Sequence, residues 1–459
     1  MKPLPLALSA RSAVPGLTFP AIVRADAAQL YTAFLQLEQS QWLSAEALRE
    51  LQRRQLDVLL AHVWATVPAY HDRLRDAGIV PGIPLAWDAW GRVRLLTRRE
   101  LQQGGSALGS RRVPPEHGPA EICRTSGSSG EPVEVLRTAL DFLMSQATTL
   151  RDHAWHQRDL TGMLCAIRAG IARTPDGETI AGWGAATDLL FETGRSAGLP
   201  IDTDIAKMAH WLQQRKPDYL LIYPTVFGAL LRKLREQRIE LPQLREVRTI
   251  GEVLPPETRA LCGEVLGVPV VDLYSSQEVG DIALQCPHSG LYHVQSEHLL
   301  VEILDDAGRH CAPGETGRVV LTTLHGFAMP LLRYELRDHA EVAAACPCGR
   351  GLPALRRIQG RTRNMLVAPD GDVRWPLVGF AEFRDAAPVL RYQVAQTARD
   401  RLEFRLVTER PLSAGEEANL AAILRRAAGN FANVDFRYFA DLPSGANGKF
   451  EEFVSLLGE

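Results

Sequence analysis

Six consecutive residues, Thr125, Ser126, Gly127, Ser128, Ser129 and Gly130, set two glycines two hydroxyl residues apart, with two further hydroxyls in front. Glycine lets a backbone turn tightly enough to aim several N–H groups at one centre, and the hydroxyls add donors, so such a loop can wrap phosphate oxygens. No Lys-Ser or Lys-Thr follows Gly130, which separates it from the Walker A loop. A solvated turn has the same composition, so the loop takes its meaning from its company. A second chemical grouping is Cys286-Pro-His288, His293 and Cys346-Pro-Cys348. A Cys-x-Cys knuckle with a distant Cys and a His supplies the thiolates and imidazole that zinc takes in closed tetrahedral sites. Either His293 or His288 can complete the set. Cys123, Cys165, Cys262 and Cys311 lack such neighbours and read as small hydrophobes.

The company of the hydroxyl loop is ordered along the chain. Tyr274-Ser-Ser-Gln-Glu278-Val-Gly280 follows an apolar strand, then come Met329-Pro-Leu-Leu-Arg-Tyr334-Glu-Leu-Arg-Asp338, Gly360-Arg361, and Pro443-Ser-Gly-Ala-Asn-Gly448-Lys449-Phe450. This series resembles the adenylate-forming superfamily of acyl-CoA synthetases, luciferases and peptide-synthetase adenylation domains, and within it the phenylacetate-CoA ligase group. The likeness includes Val67-Pro-Ala-Tyr70 and extends over nearly the whole chain.

The resemblance implies roles. Thr125 to Gly130 would hold the β,γ-phosphates of ATP, and Glu278 would ligate Mg²⁺, a hard cation that takes one or two carboxylates plus phosphate oxygens. Tyr274 would lie against adenine or the acyl group, and Gly251-Glu252 would line the adenine pocket. Asp338 would bind both ribose hydroxyls through its two acceptor oxygens. Arg361 would begin the crossing to a small mobile domain and reach ribose or phosphate. Lys449 would bridge the substrate carboxylate and the α-phosphate, a task for a compact charge on a flexible stem. Trp183, Tyr223 and Phe227 stand where the family builds its acyl cavity, and an aromatic wall favours an aryl or compact apolar acid. At helical spacing Tyr223 and Phe227 equally suit a core. Relatives also carry a structural zinc, for which Cys286, His293, Cys346 and Cys348 are the matching ligands.

The implied activity is acid activation to acyl-AMP with pyrophosphate release, then thioester formation with CoA. The alternatives are acyl transfer to a carrier protein or an amine, and a zinc-stabilised scaffold without catalysis. Arg363-Asn364 stands where the family commonly has an acidic swivel residue, and the loop Ala368–Pro376 departs from the common glycine-led form. Both departures touch the second half-reaction.

These residues need a large frame. The spacing predicts a helix from an N-cap at Ser44 to Val67, with Leu48, Leu51, Val58, Leu59 and Val63 on its apolar face and Pro68 closing it. From Ile201 to Leu304 helices alternate with short apolar strands: helices Asp204–Gln214, Val226–Gln237 and Pro256–Val265, strands Tyr219–Tyr223, Val247–Ile250 and Val270–Tyr274. That order implies a sheet covered on both faces. Strands Val319–Leu324 and Met329–Tyr334 without intervening helices indicate an antiparallel subdomain. Beyond Gly360, strands Tyr392–Gln396, Leu402–Val407 and Val434–Phe439 with a helix Ala414–Ala428 make a small α+β unit. The reading is therefore α/β: a large N-terminal domain, 1–360, of helix-covered sheets plus the antiparallel subdomain, and a small mobile α+β domain, 361–459. With 51 Lys+Arg against 54 Asp+Glu over 459 residues, no basic patch calls for nucleic acid or an anionic membrane. No apolar run reaches bilayer length, no leader pattern opens the chain, and seven cysteines do not make a disulfide scaffold, so a cytoplasmic enzyme is expected.

Overall fold

The computed structural model describes residues 5–124, 133–172, 174, 176–201, 203–361, 366–367, 373–374, 380–428, 433–440, 442 and 453–457. The long helix runs over Ala45–Thr66, capped by Ser44 Oγ accepting from the Ala47 N–H. Its buried stripe is Leu48, Gln52, Leu56, Leu59, Leu60 and Val63, while Leu51 and Val58 are exposed, a correction to the face expected. Gln52 belongs to the stripe because its amide donates to the carbonyls of Ser296 and Leu299, so a polar residue serves on the buried side.

A short hairpin, β1 (Ala120–Arg124) and β2 (Glu134–Thr138), flanks the hydroxyl loop. The main sheet is built from β3 (Leu164–Arg168), β4 (Glu178–Ile180), β5 (Ser196–Pro200), β6 (Tyr219–Ile222), β7 (Glu246–Ile250), β8 (Val270–Ser276), β9 (Gly280–Gln285), β10 (Tyr292–Val294), β11 (Leu299–Leu304), β12 (Thr316–Thr323), β13 (Tyr334–Val342) and β14 (Ala354–Arg361). Its order is β11-β12-β13-β14-β10-β9-β8-β7-β6-β3-β5-β4. β5, β3, β6, β7 and β8 are parallel, whereas β8 onward through β9, β10, β14, β13, β12 and β11 is antiparallel. β8 is thus the strand at which the sheet changes character. Helices Ile205–Arg215, Pro224–Gln237 and Pro256–Val265 cover the parallel half through Met208, Leu212, Leu230, Leu234 and Cys262. Cys165 is buried in the same core, and Cys123 and Cys311 pack against the neighbouring one.

The expected strand Met329–Tyr334 is not formed; β13 begins at Tyr334. Pro330 has no N–H for a ladder, and Arg333 takes a left-handed φ of 48° that aims its guanidinium at the Glu302 carboxylate and the carbonyls of Gly91 and Val93. Further on, β15 (Leu366–Val367) pairs with β16 (Val373–Arg374), and β17 (Val389–Ala398), β18 (Arg401–Thr408), β19 (Asn433–Tyr438) and β20 (Phe453–Ser455) form a sheet ordered β19-β18-β17-β20. Leu420 and Leu424 of helix Ala414–Ala428 share a core with Phe383, Tyr392 and Phe404, and that core draws on residues from Leu366 onward. No helix among the described residues is long and apolar enough to cross a membrane.

Candidate active site

The carboxyl ends of parallel strands are where an α/β sheet leaves room for a ligand, because the chain departs in different directions there. β8 brings Tyr274 to this edge, and the tight turn to β9, closed by Gly280 at φ 83°, presents Glu278. Glu278 is 4% exposed despite its place on a turn. Arg98, the first residue of helix Arg98–Gly104, covers it, with Nη1 3.3 Å from Glu278 Oε1. A capping box between Thr97 and Glu100 starts that helix and so places Arg98. The pair is buried and hydrogen-bonded, and a carboxylate is the kind of ligand a hard cation takes. Glu278 borders a small cleft shared with Arg137, Asp141, His298, Thr323 and His325. Arg98 carries no motif of its own; the Thr97-x-x-Glu100 spacing could have located the helix start, but not its partner in a distant turn.

Asp338 reaches the same region from the antiparallel half. Arg337, just before it, has a left-handed φ of 69°, and the register of β13 on β14 slips between His339 and Ala340. Such irregularities re-aim a side chain and persist where the surroundings impose them. Tyr274 Oη donates to Asp338 Oδ2 at 2.8 Å. In the sheet order β9, β10 and β14 lie between their strands, which in a flat sheet would separate them by about 19 Å; the curl of the sheet brings them into contact. Asp338 and Arg361 are register partners on β13 and β14, so these two sequence candidates are neighbours along the backbone.

Gly251 follows β7 with φ 75°, a turn that favours glycine, and Glu252 after it reaches the helix that precedes β7. Glu252 Oε2 accepts from the Thr225 N–H in the first turn of helix Pro224–Gln237, tying the loops after β6 and β7 together. Tyr223 ends β6 at the same edge, and burial pushes its phenol up while the Ala169 N–H donates to it. Buried Ser276 Oγ has no hydrogen-bond partner among the described residues. The edge therefore offers carboxylates, a phenol and an orphaned hydroxyl, a donor set that fits a nucleotide with its divalent cation.

Two expected members of the acyl wall lie elsewhere. Phe227 is fully buried in the core under the parallel half, among Leu230, Leu231 and Val247. Trp183 donates from Nε1 to the Gly162 carbonyl and meets the Tyr219 ring edge-on at 5.2 Å, at the amino ends of β3 and β6. Helical periodicity cannot tell which end of a strand a ring will reach. Thr125, Ser126, Gly127, Ser128, Ser129, Gly130 and Lys449 lie outside the described residues, as do Arg363 and Asn364.

The second cluster is compact. Ligand atoms of Cys286, His293, Cys346 and Cys348 lie within 4.8 Å of one another, with Cys346 Sγ 3.8 Å from Cys286 Sγ and Cys348 Sγ 3.3 Å from His293 Nε2. Ligands about 2.3 Å from one tetrahedral centre stand about 3.7 Å apart, so the donor set fits zinc. His293 Nδ1 lies 3.2 Å from the Leu352 carbonyl, the outer contact that orients a ligating imidazole. His288 is exposed, and it is His293 that stands with the three cysteines.

Comparison with known proteins agrees with this geometry. The family described as AMP-binding enzyme matches residues 59–326, more than half of the chain. Phenylacetate-coenzyme A ligase of Thermus thermophilus is 27% identical over 335 residues, covering 71% of this chain and 73% of its own. The ligase of the same name from Escherichia coli is 25% identical over 337 residues, covering 71% and 73%. Among solved structures, 2-hydroxyisobutyryl-CoA ligase in its postadenylation state superposes with a TM-score of 0.69 at 19% identity, covering 88% of both chains. The fold is shared with it.

Proposed function

Because the chain belongs to the AMP-binding enzyme family, we propose that it is an acid–CoA ligase that activates a small carboxylic acid as its acyl-adenylate and then transfers the acyl group to CoA. The observation that carries this reading is the meeting of Tyr274, Asp338 and the Arg98-paired Glu278 around the carboxyl end of β8. In the first step a carboxylate oxygen bonds the α-phosphorus of ATP as the α,β-anhydride bond breaks and pyrophosphate leaves. In the second, the CoA thiolate attacks the acyl carbonyl and AMP departs with the bonding pair.

Glu278 would hold Mg²⁺, which supplies charge stabilisation on the phosphates. Asp338 would fix the ribose, and Tyr274 with Gly251 and Glu252 would bound the adenine. The hydroxyl loop Thr125–Gly130 would hold the β,γ-phosphates, and Lys449 would stabilise the charge that develops as the carboxylate attacks. We assign 1–360 to the core domain and 361–459 to a mobile domain that delivers Lys449; the separate core of Leu366, Phe383, Phe404 and Leu424 supports that division. Cys286, His293, Cys346 and Cys348 would hold a zinc with every protein position filled, a structural rather than catalytic ion. Cytoplasm is the proposed compartment, consistent with thiols held for a metal.

Acid-dependent exchange of labelled pyrophosphate into ATP across a panel of aryl and short aliphatic acids tests the first step. CoA-dependent AMP release with the best acid tests the second. Exchange with at least one acid, followed by stoichiometric acyl-CoA, is the expected result. Exchange without CoA-dependent turnover would redirect the acyl group to a carrier thiol or an amine, and no exchange with any acid would remove the activity.

A further inference from the structure

We propose that Arg168 is a specificity-determining residue that selects acids carrying a second anionic group, so that the substrate class is two-headed: a reacting carboxylate, an apolar spacer and a distal carboxylate. The inference rests on the acid-activation reading of the site. The ladders of the parallel half pair Ile167 with Ile222, Ile222 with Thr249 and Thr249 with Asp272, and all four are buried. One residue further along each strand come Arg168, Tyr223, Ile250 and Leu273, the last two being partners themselves. Side chains alternate between faces along a strand, so in-register neighbours share a face. These four therefore make a row across the carboxyl ends of β3, β6, β7 and β8, on the face opposite to that of Tyr274, the next residue of β8.

None of the four is fully buried: Leu273, Ile250 and Tyr223 are half-buried and Arg168 is exposed. The row runs from two aliphatic side chains through a phenol to a guanidinium. With Phe227 in the core and Trp183 at the amino ends, Tyr223 alone remains of the expected aromatic wall, and the next group outward is this cation. The Ala169 N–H donates to Tyr223 Oη, which ties the backbone beside Arg168 to β6, and the Arg168 charge acts on that phenol. Glu252, whose charge also reaches Tyr223, has Oε2 engaged by the Thr225 N–H. Arg168 has no side-chain partner among the described residues. Neighbouring strands stand about 4.8 Å apart, so β3 lies about 14 Å along the sheet from β8, the strand that leads to Glu278 and the reacting end of the acid. A compact monoacid ends short of Arg168. An acid with an apolar middle covers Leu273 and Ile250, and its far carboxylate meets the planar fork of the guanidinium, which takes carboxylates in bidentate form. That pair adds binding for the two-headed acid alone, which is what discrimination requires.

Pyrophosphate exchange at saturating ATP compares monoacids with diacids of matched chain: propionate with malonate, hexanoate with adipate, octanoate with suberate, and phenylacetate with 4-carboxyphenylacetate. In the unaltered protein the best diacid should exceed its monoacid in kcat/KM about tenfold, the size of one hydrogen bond to a charged group. Malonate, too short for the span, should gain nothing over propionate. Arg168→Gln should contract the best ratio toward one, chiefly through KM. Arg168→Lys, which keeps the charge without the fork, should retain part of it. Arg168→Glu should invert the preference, disfavouring suberate and favouring 8-aminooctanoate, an outcome that loss of packing does not produce. Added salt should weaken the preference in the unaltered protein, since the pair is exposed. Monoacids equal or preferred in the unaltered protein, a ratio that Arg168→Gln leaves unchanged, or a gain for malonate as large as for suberate would each overturn the role of Arg168 and leave acid activation standing. Absence of exchange with every acid of both series would remove the ligase reading, and this inference with it. Thermal midpoints of the variants, expected to be unchanged at an exposed position, separate loss of fold from loss of contact.

Discussion

The cluster of Cys286, His293, Cys346 and Cys348 and the constellation of Tyr274, Glu278 and Asp338 both gather polar groups on the strands of one sheet and the turns between them, yet they are built on opposite terms. The first gathers thiols and an imidazole, with the ligand atoms within 4.8 Å of one another. The second spreads unlike groups along two halves of the sheet and pairs each with a protein partner: Glu278 with Arg98, Asp338 with Tyr274. A closed donor set suits an ion that stays. A carboxylate offers several lone pairs, which suits a ligand that comes and goes. Perturbation should therefore cost stability at one place and turnover at the other.

The largest effect is expected at Lys449, the charge assigned to the reactive side of this contrast. Lys449→Ala should slow acyl-adenylate formation about 10²- to 10³-fold, as removal of a transition-state contact does, with ATP binding retained. Single-turnover adenylation measures it, and a change below about threefold would sink the assignment. Glu278→Gln comes next: removing the charge while keeping the shape should raise the Mg²⁺ concentration needed for half-maximal exchange and slow the step about 10- to 100-fold. A magnesium titration that superimposes on that of the unaltered protein would take Glu278 out of the metal's coordination.

At the closed cluster the sign of the comparison reverses. Cys346→Ser should release zinc, measured by elemental analysis, and lower the thermal midpoint by about 5–10 °C, a few kcal/mol in a domain of this size. The folded fraction should retain its exchange rate at 20 °C. Protein purified without chelators and containing no zinc would end the structural-metal reading.

The smallest effect concerns pH. Burial holds His156 down to about 4, His298 to about 3 and His325 to about 4. Unfolded, each takes a proton near 6.5, so between about pH 6.5 and 4 the unfolded chain binds more protons. Their contribution is present above about pH 6.5 and is lost on acidification, at about 1.4 kcal/mol per pH unit for each group. Asp281 runs the other way: burial raises its carboxyl to about 6, so its contribution is lost as pH rises through that value. Three histidines outweigh one carboxyl, and urea midpoints should fall from pH 6.5 to 5. Midpoints that rise over that range would show that these imidazoles are not held neutral.

Much of this protein was legible without coordinates wherever a physical signal is local. Helix Pro256–Val265 and helix Ala414–Ala428 follow from apolar spacing to the residue. The alternation of helices with the strands over Tyr219–Ile222, Glu246–Ile250 and Val270–Ser276 was readable from the pattern, and donor type singled out the Cys-x-Cys knuckle. The ordered motifs likewise nominated Glu278, Asp338 and Tyr274 together. What the one-dimensional pattern could not carry is which groups meet. Leu51 and Val58 face solvent while Gln52 is buried, because the long helix must satisfy the carbonyls of Ser296 and Leu299, which belong to a distant segment. Trp183 lies at the amino ends of its strands and Phe227 in the core, since periodicity fixes a side chain's face and says nothing of which end of the sheet it serves. Tyr274 meets Asp338 because the twisted sheet curls and brings separate strands together, and Arg98 meets Glu278 because the helix that starts after Thr97 lies over the turn between β8 and β9. Residue types and their spacing determined what chemistry this chain can perform; the curl of one sheet decided which of those residues share a site.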